Sequence, residues 1–201
     1  MRTVNPHLQI SDFLYHLHTL FLFTKADIRT SLIPQVCYES SIATFLNSTQ
    51  QTFFALAAAP PCHPSHVIHV VAWIWLHLLT CNIANQIKAP DEDKINKPFR
   101  PLPSGRITEA HARIIRWILV PVCLAVSAAY STELFFTSLD LQLLAVLYSE
   151  LRGDASFLLK NFLTAIMYGC AGSGGVLLAG MFEVLPVVAS FQTFRCDTCS
   201  V

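Results

Sequence analysis

Residues 67–108 read VIHVVAWIWLHLLTCNIANQIKAPDEDKINKPFRPLPSGRIT, an uncharged apolar run that passes without interruption into a loop crowded with acids and bases. Residues 67–84 carry no Lys, Arg, Asp or Glu. A bilayer core about 30 Å thick takes roughly 17–25 helical residues. In hydrocarbon each backbone N–H and C=O must be paired inside the segment, so this run is expected to be a membrane-spanning helix. The loop is its opposite. Lys88, Asp91, Glu92, Asp93, Lys94, Lys97, Arg100, Arg106, Glu109 and Arg113 all fall within 85–113, and the chain has only 13 basic and 13 acidic residues. Over the whole chain 13% of residues are charged and 53% hydrophobic, where soluble domains carry about 25% charged. A polytopic protein of the lipid bilayer is implied. Nucleic-acid binding is excluded, because the bases are few and interleaved with acids.

Other stretches repeat the pattern. Residues 162–182, FLTAIMYGCAGSGGVLLAGMF, lack any charge, and their glycines suit close approach of membrane helices. Residues 117–131 form a third candidate span, kinked by Pro121, with Arg113 and Arg116 before it able to snorkel toward headgroups. A fourth, 134–149, carries Asp140 in its middle, which must face protein or water. Residues 8–24 are amphipathic, and 32–60 are broken by Glu39 and the polar run 47–52, so one or two less regular helices are expected there. The sum is an all-α transmembrane bundle, one membrane-embedded domain over 1–201, with about five or six helices. Two spans separate the loop at 85–113 from the polar segment 150–160, so both loops share a face. Their Lys and Arg content places that face in the cytosol, in an intracellular membrane such as the endoplasmic reticulum. Residues 1–10, MRTVNPHLQI, lack the apolar core of a cleavable signal peptide.

Pro90 followed by Asp91, Glu92 and Asp93 has the makings of a short helix with acids at its positive end. The residues around it suggest more than solvation. Asn82 and Asn85, three apart, share the face at the end of the apolar helix. Hard oxygen donors grouped beside carboxylates suit Mg²⁺, which commonly bridges to phosphates. Lys94, Lys97, Arg100 and Arg106 follow, and these cations can hold phosphate oxygens. Ligands and clamps at the mouth of an apolar bundle point to a substrate with a diphosphate head and a hydrocarbon tail.

With Asn85 leading, Asp91 and Asp93 following, and Arg100, Pro101, Ser104 and Gly105 spelling RPxxSG, the loop resembles the first aspartate-rich motif of the UbiA superfamily of intramembrane prenyltransferases. The wording NQ, DEDKINKP and RPLPSGRIT is similar to a fungal branch that includes membrane terpene cyclases. The likeness extends to residues 22–35, LFTKADIRTSLIPQ, and to Tyr148, Lys160 and Asn161. The resemblance implies an isoprenyl diphosphate substrate and Mg²⁺ on Asn85, Asp91 and Asp93. Arg100, Arg106 and Lys160 would stabilise the departing diphosphate. Asn82, Lys94, Lys97, Tyr148 and Trp73 would bind substrate, Trp73 and Tyr130 by offering π-faces to a carbocation. Capture by an external acceptor, aromatic or polyketide, makes a prenyltransferase, the first expectation; capture by an internal double bond makes a terpene cyclase. The chain departs from the family at Gln86, where most members have an acid. It also lacks the second acidic motif, since only Glu183 and Asp197 follow Lys160, and its tail at 183–201 is divergent. A truncated or divergent member that has lost turnover is therefore the third expectation.

Two further patterns carry less. His69, Trp73 and His77 recur on one helix face, but no second His-rich helix would complete a haem or metal site. Seven cysteines include Cys196 and Cys199 as a lone CxxC, without the partner pair that zinc needs.

Overall fold

The computed structural model describes residues 6–37, 64–151 and 155–197, with side chains over 13–37, 67–151 and 155–178. The polar run 47–52, Glu39 and the Cys196 and Cys199 side chains lie outside the described set. Among the described residues every regular element is helical: α1 (Pro6–Thr24), a π-helical turn (Ile28–Leu32), α2 (Pro64–Lys88), α3 (Pro90–Asn96), α4 (Glu109–Tyr130), α5 (Thr132–Ser149) and α6 (Phe157–Asp197), with residues 97–108 in turns. The all-α bundle expected from hydropathy is what forms.

Helix α2 is the hub, packing on α1, α4, α5 and α6. One side of it, with Val70, Trp73 and Ile74, joins Leu134, Leu141 and Leu178 from α5 and α6. The other side, with Leu79 and Ile83, meets Phe23 of α1 and Ala112 of α4. Small residues set the spacing. A Cβ on Gly174 would stand 2.2 Å from the Trp73 ring, so α6 lies against that indole only because position 174 has no side chain. At Gly169 nothing lies within 4 Å, so its glycine serves no such approach.

Helices α4 and α5 form a hairpin around Ser131. Its backbone N–H bonds Ser127 at 3.2 Å, closing α4, and its Oγ accepts from Leu134 N–H at 3.1 Å, opening α5. Thr108 caps α4 in the same way, accepting from His111 N–H. Helix α4 runs through Pro121 as a single element over 109–130.

Three described helices are long and apolar enough to cross a membrane: Val67–Lys88, Glu109–Tyr130 and Phe157–Leu178. The expected fourth span forms a helix but is not among them, because Glu133, Asp140 and Gln142 dilute its apolarity. It buries Leu134, Ser138, Leu141, Gln142 and Ala145, a stripe at helical spacing, and leaves Asp140 exposed. The shared face of the two polar loops is also visible. Arg116 near the start of α4 binds Glu150 and Ser149 at the end of α5, and Lys88 at the end of α2 donates to the Tyr148 carbonyl at 3.3 Å. Arg116 thus turns inward and is buried, where sequence suggested snorkelling. A neighbouring carboxylate and hydroxyl offer the guanidinium a better partner than lipid.

Candidate functional site

Helices α2, α5 and α6 and the turn after α1 enclose a cavity of ≈ 260 Å³. On α2 its wall is a single stripe, Ile74, His77, Leu78, Cys81, Asn82 and Asn85, as 3.6 residues per turn requires. Polarity grades along this stripe. Asn82 and Asn85 lie toward the charged loop, with Leu78 and Ile74 about 11 and 16 Å further along the helix than Asn85. The partners grade alike: Tyr148 and Ser149 on α5 and Thr164 on α6 stand near the loops, while Leu141, Met167 and Ala171 lie deeper. Asp27 closes the polar end, while Ser31 and Gln35 line the side facing α6, Ser31 Oγ 3.2 Å from the Tyr168 hydroxyl and Gln35 Nε2 donating to the Tyr168 carbonyl at 3.3 Å. The result is a pit with a hydrophilic mouth and a mainly apolar interior, interrupted by His77 and by the Ser31–Tyr168 pair.

The mouth is held by a buried ion network. Arg100 places Nη1 2.8 and 2.7 Å from the two carboxylate oxygens of Asp93, and Nη2 3.3 Å from Asp27 Oδ2. Arg100 and Asp93 are both buried, and Arg100 Nε lacks a partner. The turn from α3 to Arg100 is closed by the Arg100 N–H on the Lys97 carbonyl at 3.0 Å, and the turns that follow it include Gly105 at φ 71°, a left-handed conformation that disfavours a side chain.

The sequence candidates separate under this geometry. Asn82, Asn85 and Tyr148 line the cavity. Lys160, in the first turn of α6, is exposed and does not line the cavity; it lies four residues before the lining residue Thr164, whose hydroxyl donates to the Lys160 carbonyl at 2.8 Å. Asp91 does not line it: its side chain is 90% exposed and pairs with Lys94 at 2.9 Å, an i,i+3 contact along α3. Asp93 faces inward but gives both oxygens to Arg100. Arg106 is turned toward α1, stacked 4.2 Å from the Tyr15 ring centroid and 3.2 Å from Thr19 Oγ1. Lys97 lies on the loop, outside the lining. Trp73 is buried behind the wall, its Nε1 donating to Ser127 Oγ at 2.8 Å and its ring against His77. Tyr130, the other expected π-face, bonds His69 Nδ1 at 2.7 Å. These helix-to-helix bonds account for the histidine stripe without haem. Gln86 faces away from the cavity, donating to the Phe23 carbonyl at 3.2 Å.

Sequence reasoning missed Asp27. It lies inside the 22–35 stretch that carries the family likeness but was not singled out there; it matters because the chain after α1 brings it to the cavity beside Asn82 and Asn85. Asp27, Asn82 and Asn85 are a hard-oxygen set fit for a divalent cation. The Asn82 Nδ2 is buried without a hydrogen-bond partner; as a donor it suits an acceptor such as a phosphate oxygen, while a cation would be taken by the amide oxygen. Among the described residues no three His, Cys, Asp or Glu side chains cluster as a metal site, so an ion here would depend on amide oxygens as well.

Comparisons with known proteins agree with this architecture. The fumagillin beta-trans-bergamotene synthase of Aspergillus fumigatus is 35% identical over 186 residues, covering 88% of this chain and 58% of that protein. A diterpene cyclase of Hericium erinaceus is 38% identical over 87 residues, 41% of this chain and 25% of its own length. The chain therefore spans less than two thirds of these curated relatives. A solved structure from work on digeranylgeranylglyceryl phosphate synthase in membranes matches in fold, with a TM-score of 0.55 and 19% identity over 92% of this chain and 66% of that one. The family model described as UbiA prenyltransferase family matches residues 49–194, and the chain belongs to that family.

Proposed function

We propose that the protein binds an isoprenyl diphosphate with its head at the mouth of the cavity and its hydrocarbon on the floor, ionises it, and closes the resulting cation on one of its own double bonds. The observation that carries this reading is the gradient along the cavity wall, from Asp27, Asn82 and Asn85 at the mouth to Ile74, Leu141 and Met167 at depth. Cyclisation is favoured over transfer because the two relatives named above are, by their descriptions, a bergamotene synthase and a diterpene cyclase. Transfer to an external acceptor is the second reading, supported by the family's description as prenyltransferases.

Asp27, Asn82 and Asn85 would hold Mg²⁺, with Asp91 outside the set. When bound, the ion supplies positive charge that neutralises the diphosphate and eases its departure. The chain's own residues complete the site. Arg100 holds Asp27 and Asp93 in place, and Lys160, in the exposed first turn of α6, would reach toward the diphosphate oxygens from outside the lining. The apolar floor keeps water from the allylic carbon, since water capture would give only the alcohol. This mouth lies on the cytosolic side by the distribution of Lys and Arg, in an intracellular membrane.

The test is turnover in lipid nanodiscs with farnesyl and geranylgeranyl diphosphate, with and without Mg²⁺ and an aromatic acceptor, reading diphosphate release and organic products. Mg²⁺-dependent release with a cyclic hydrocarbon is expected. A prenylated acceptor selects the second reading. Tight Mg²⁺-dependent binding of diphosphate with no release identifies a binding protein without turnover, and absence of both sinks the proposal.

A further inference from the structure

Helix α2 carries its cavity-facing stripe one step past the mouth. Cys81 and Asn85 line the cavity, and Lys88, the last residue of α2, follows them by seven and three positions. Seven residues make about two turns, so Lys88 lies over Cys81 on the same face, about 4.5 Å beyond Asn85 along the axis. Its side chain leans across to α5. Nζ donates to the Tyr148 carbonyl at 3.3 Å and stands 5.7 Å from the centroid of the Tyr148 ring, and Tyr148 is itself a lining residue. An ammonium has three donors, and contact with a carbonyl and a ring leaves its charge in place. Lys88 therefore sets a positive charge on the outer edge of the mouth, above the amides of Asn82 and Asn85.

The cations of the charged loop are placed differently. Arg100 is buried between Asp27 and Asp93, and Lys94 pairs with Asp91 along α3. Arg106 lies against Tyr15 and Thr19 of α1. Lys160 is exposed in the first turn of α6, outside the lining. Lys88 is outside the lining too, but it is bonded to a residue that forms it.

Position along the stripe decides which part of a headgroup each residue meets. With the hydrocarbon at depth, the phosphate joined to it comes level with Asn82, whose buried Nδ2 is a donor without a partner. The terminal phosphate is then the outermost group of the ligand. Such a group carries about 1.5–2 negative charges near neutral pH. Lys88 stands at that outer level.

We propose that Lys88 recognises the terminal phosphate and so selects a prenyl diphosphate over the monophosphate of the same chain length, an inference that rests on an isoprenyl diphosphate being the ligand. One Nζ–H stays on the Tyr148 carbonyl and fixes the ammonium, while another donates to a terminal phosphate oxygen. A monophosphate ends short of Lys88 and gains nothing from it. The residue acts on binding, and no bond is made or broken there.

The experiment measures, by calorimetry on the full chain in lipid nanodiscs with Mg²⁺, the binding of farnesyl thiolodiphosphate, whose bridging sulfur slows ionisation, and of farnesyl monophosphate. Wild type should prefer the diphosphate analogue. Lys88→Met and Lys88→Gln should each weaken that analogue by about tenfold or more while changing monophosphate affinity by less than about twofold. Lys88→Arg, which keeps the charge, should hold the preference within about threefold of wild type. Arg113→Met, which removes a charge paired with Glu109 on the neighbouring α4, should leave it unchanged. Equal loss of both affinities at Lys88 would mark a structural role and overturn the proposal. An unchanged preference in the Met and Gln variants, or an Arg variant as impaired as they are, overturns the assignment of Lys88 alone. Wild type that binds both ligands equally overturns it too, while leaving a prenyl phosphate as ligand. No Mg²⁺-dependent binding of either by wild type sinks this inference together with the function it rests on.

Discussion

Arg100 is the residue on which the mouth of the cavity turns. Its guanidinium spans two carboxylates that are 66 residues apart in sequence, Asp27 and Asp93. Removing one partner of a buried pair leaves the other charge uncompensated, at a cost of about 3–5 kcal/mol. Because Arg100 keeps Asp27 at 3.3 Å, Asp93→Asn should lower stability by less than that, about 1–3 kcal/mol, measured by thermal unfolding in micelles. Asp91→Asn, which loses only an exposed contact with Lys94, should change it by less than about 0.5 kcal/mol. Equal losses from the two variants would contradict the burial assigned to Asp93. For ligand binding the ranking moves to the cavity lining: Asp27→Asn and Asn85→Ala should each weaken Mg²⁺-dependent diphosphate binding by roughly tenfold or more, read by calorimetry. Asp91→Asn should leave that affinity unchanged. The acids at 91–93 were conspicuous in sequence because they are consecutive, yet the direction of each side chain depends on where α3 turns, which no local pattern encodes.

At the scale of elements, the contact between α2 and α6 is set by one absent side chain. Gly174→Ala would drive a methyl group into the Trp73 indole, which is itself fixed by its bond to Ser127. Overpacking of this kind costs typically about 1–3 kcal/mol. Gly169→Ala meets nothing within 4 Å and should be neutral or stabilising by up to about 1 kcal/mol, because alanine favours helix. Unfolding of the two variants side by side checks this, and a larger loss at 169 than at 174 would refute the packing described. Both glycines sit in the same apolar run, and composition alone could not tell them apart. The polar row across α2 and α5 makes the same point. His77 with Ser138 and Thr80 with Gln142 read in sequence as scattered interruptions of hydrophobic helices; in the bundle they meet.

For the whole molecule, the ends of α2, α4 and α5 meet through Lys88, Arg116, Glu150 and the Tyr148 carbonyl. Both polar loops therefore emerge on one side. Epitope tags inserted after Gly105 and after Leu151 should be accessible from the same side of sealed vesicles, the cytosolic one if positive charge sets orientation. Accessibility from opposite sides would overturn the topology. Hydropathy made the spans at 67–84, 117–131 and 162–182 legible, because partition into hydrocarbon is a sum over consecutive residues and needs no knowledge of neighbours. It also placed Asn82, Asn85 and Tyr148 near helix ends, where they line the cavity. Tertiary structure alone recruited Asp27, turned Arg106 onto α1, buried Arg116 against Glu150 and set His77 facing the cavity. The physical reason is one of range: burial of an apolar helix is decided by its own composition, whereas the partner of a charge or a ring is decided by which distant segment the packed helices bring within 3 Å or so of it.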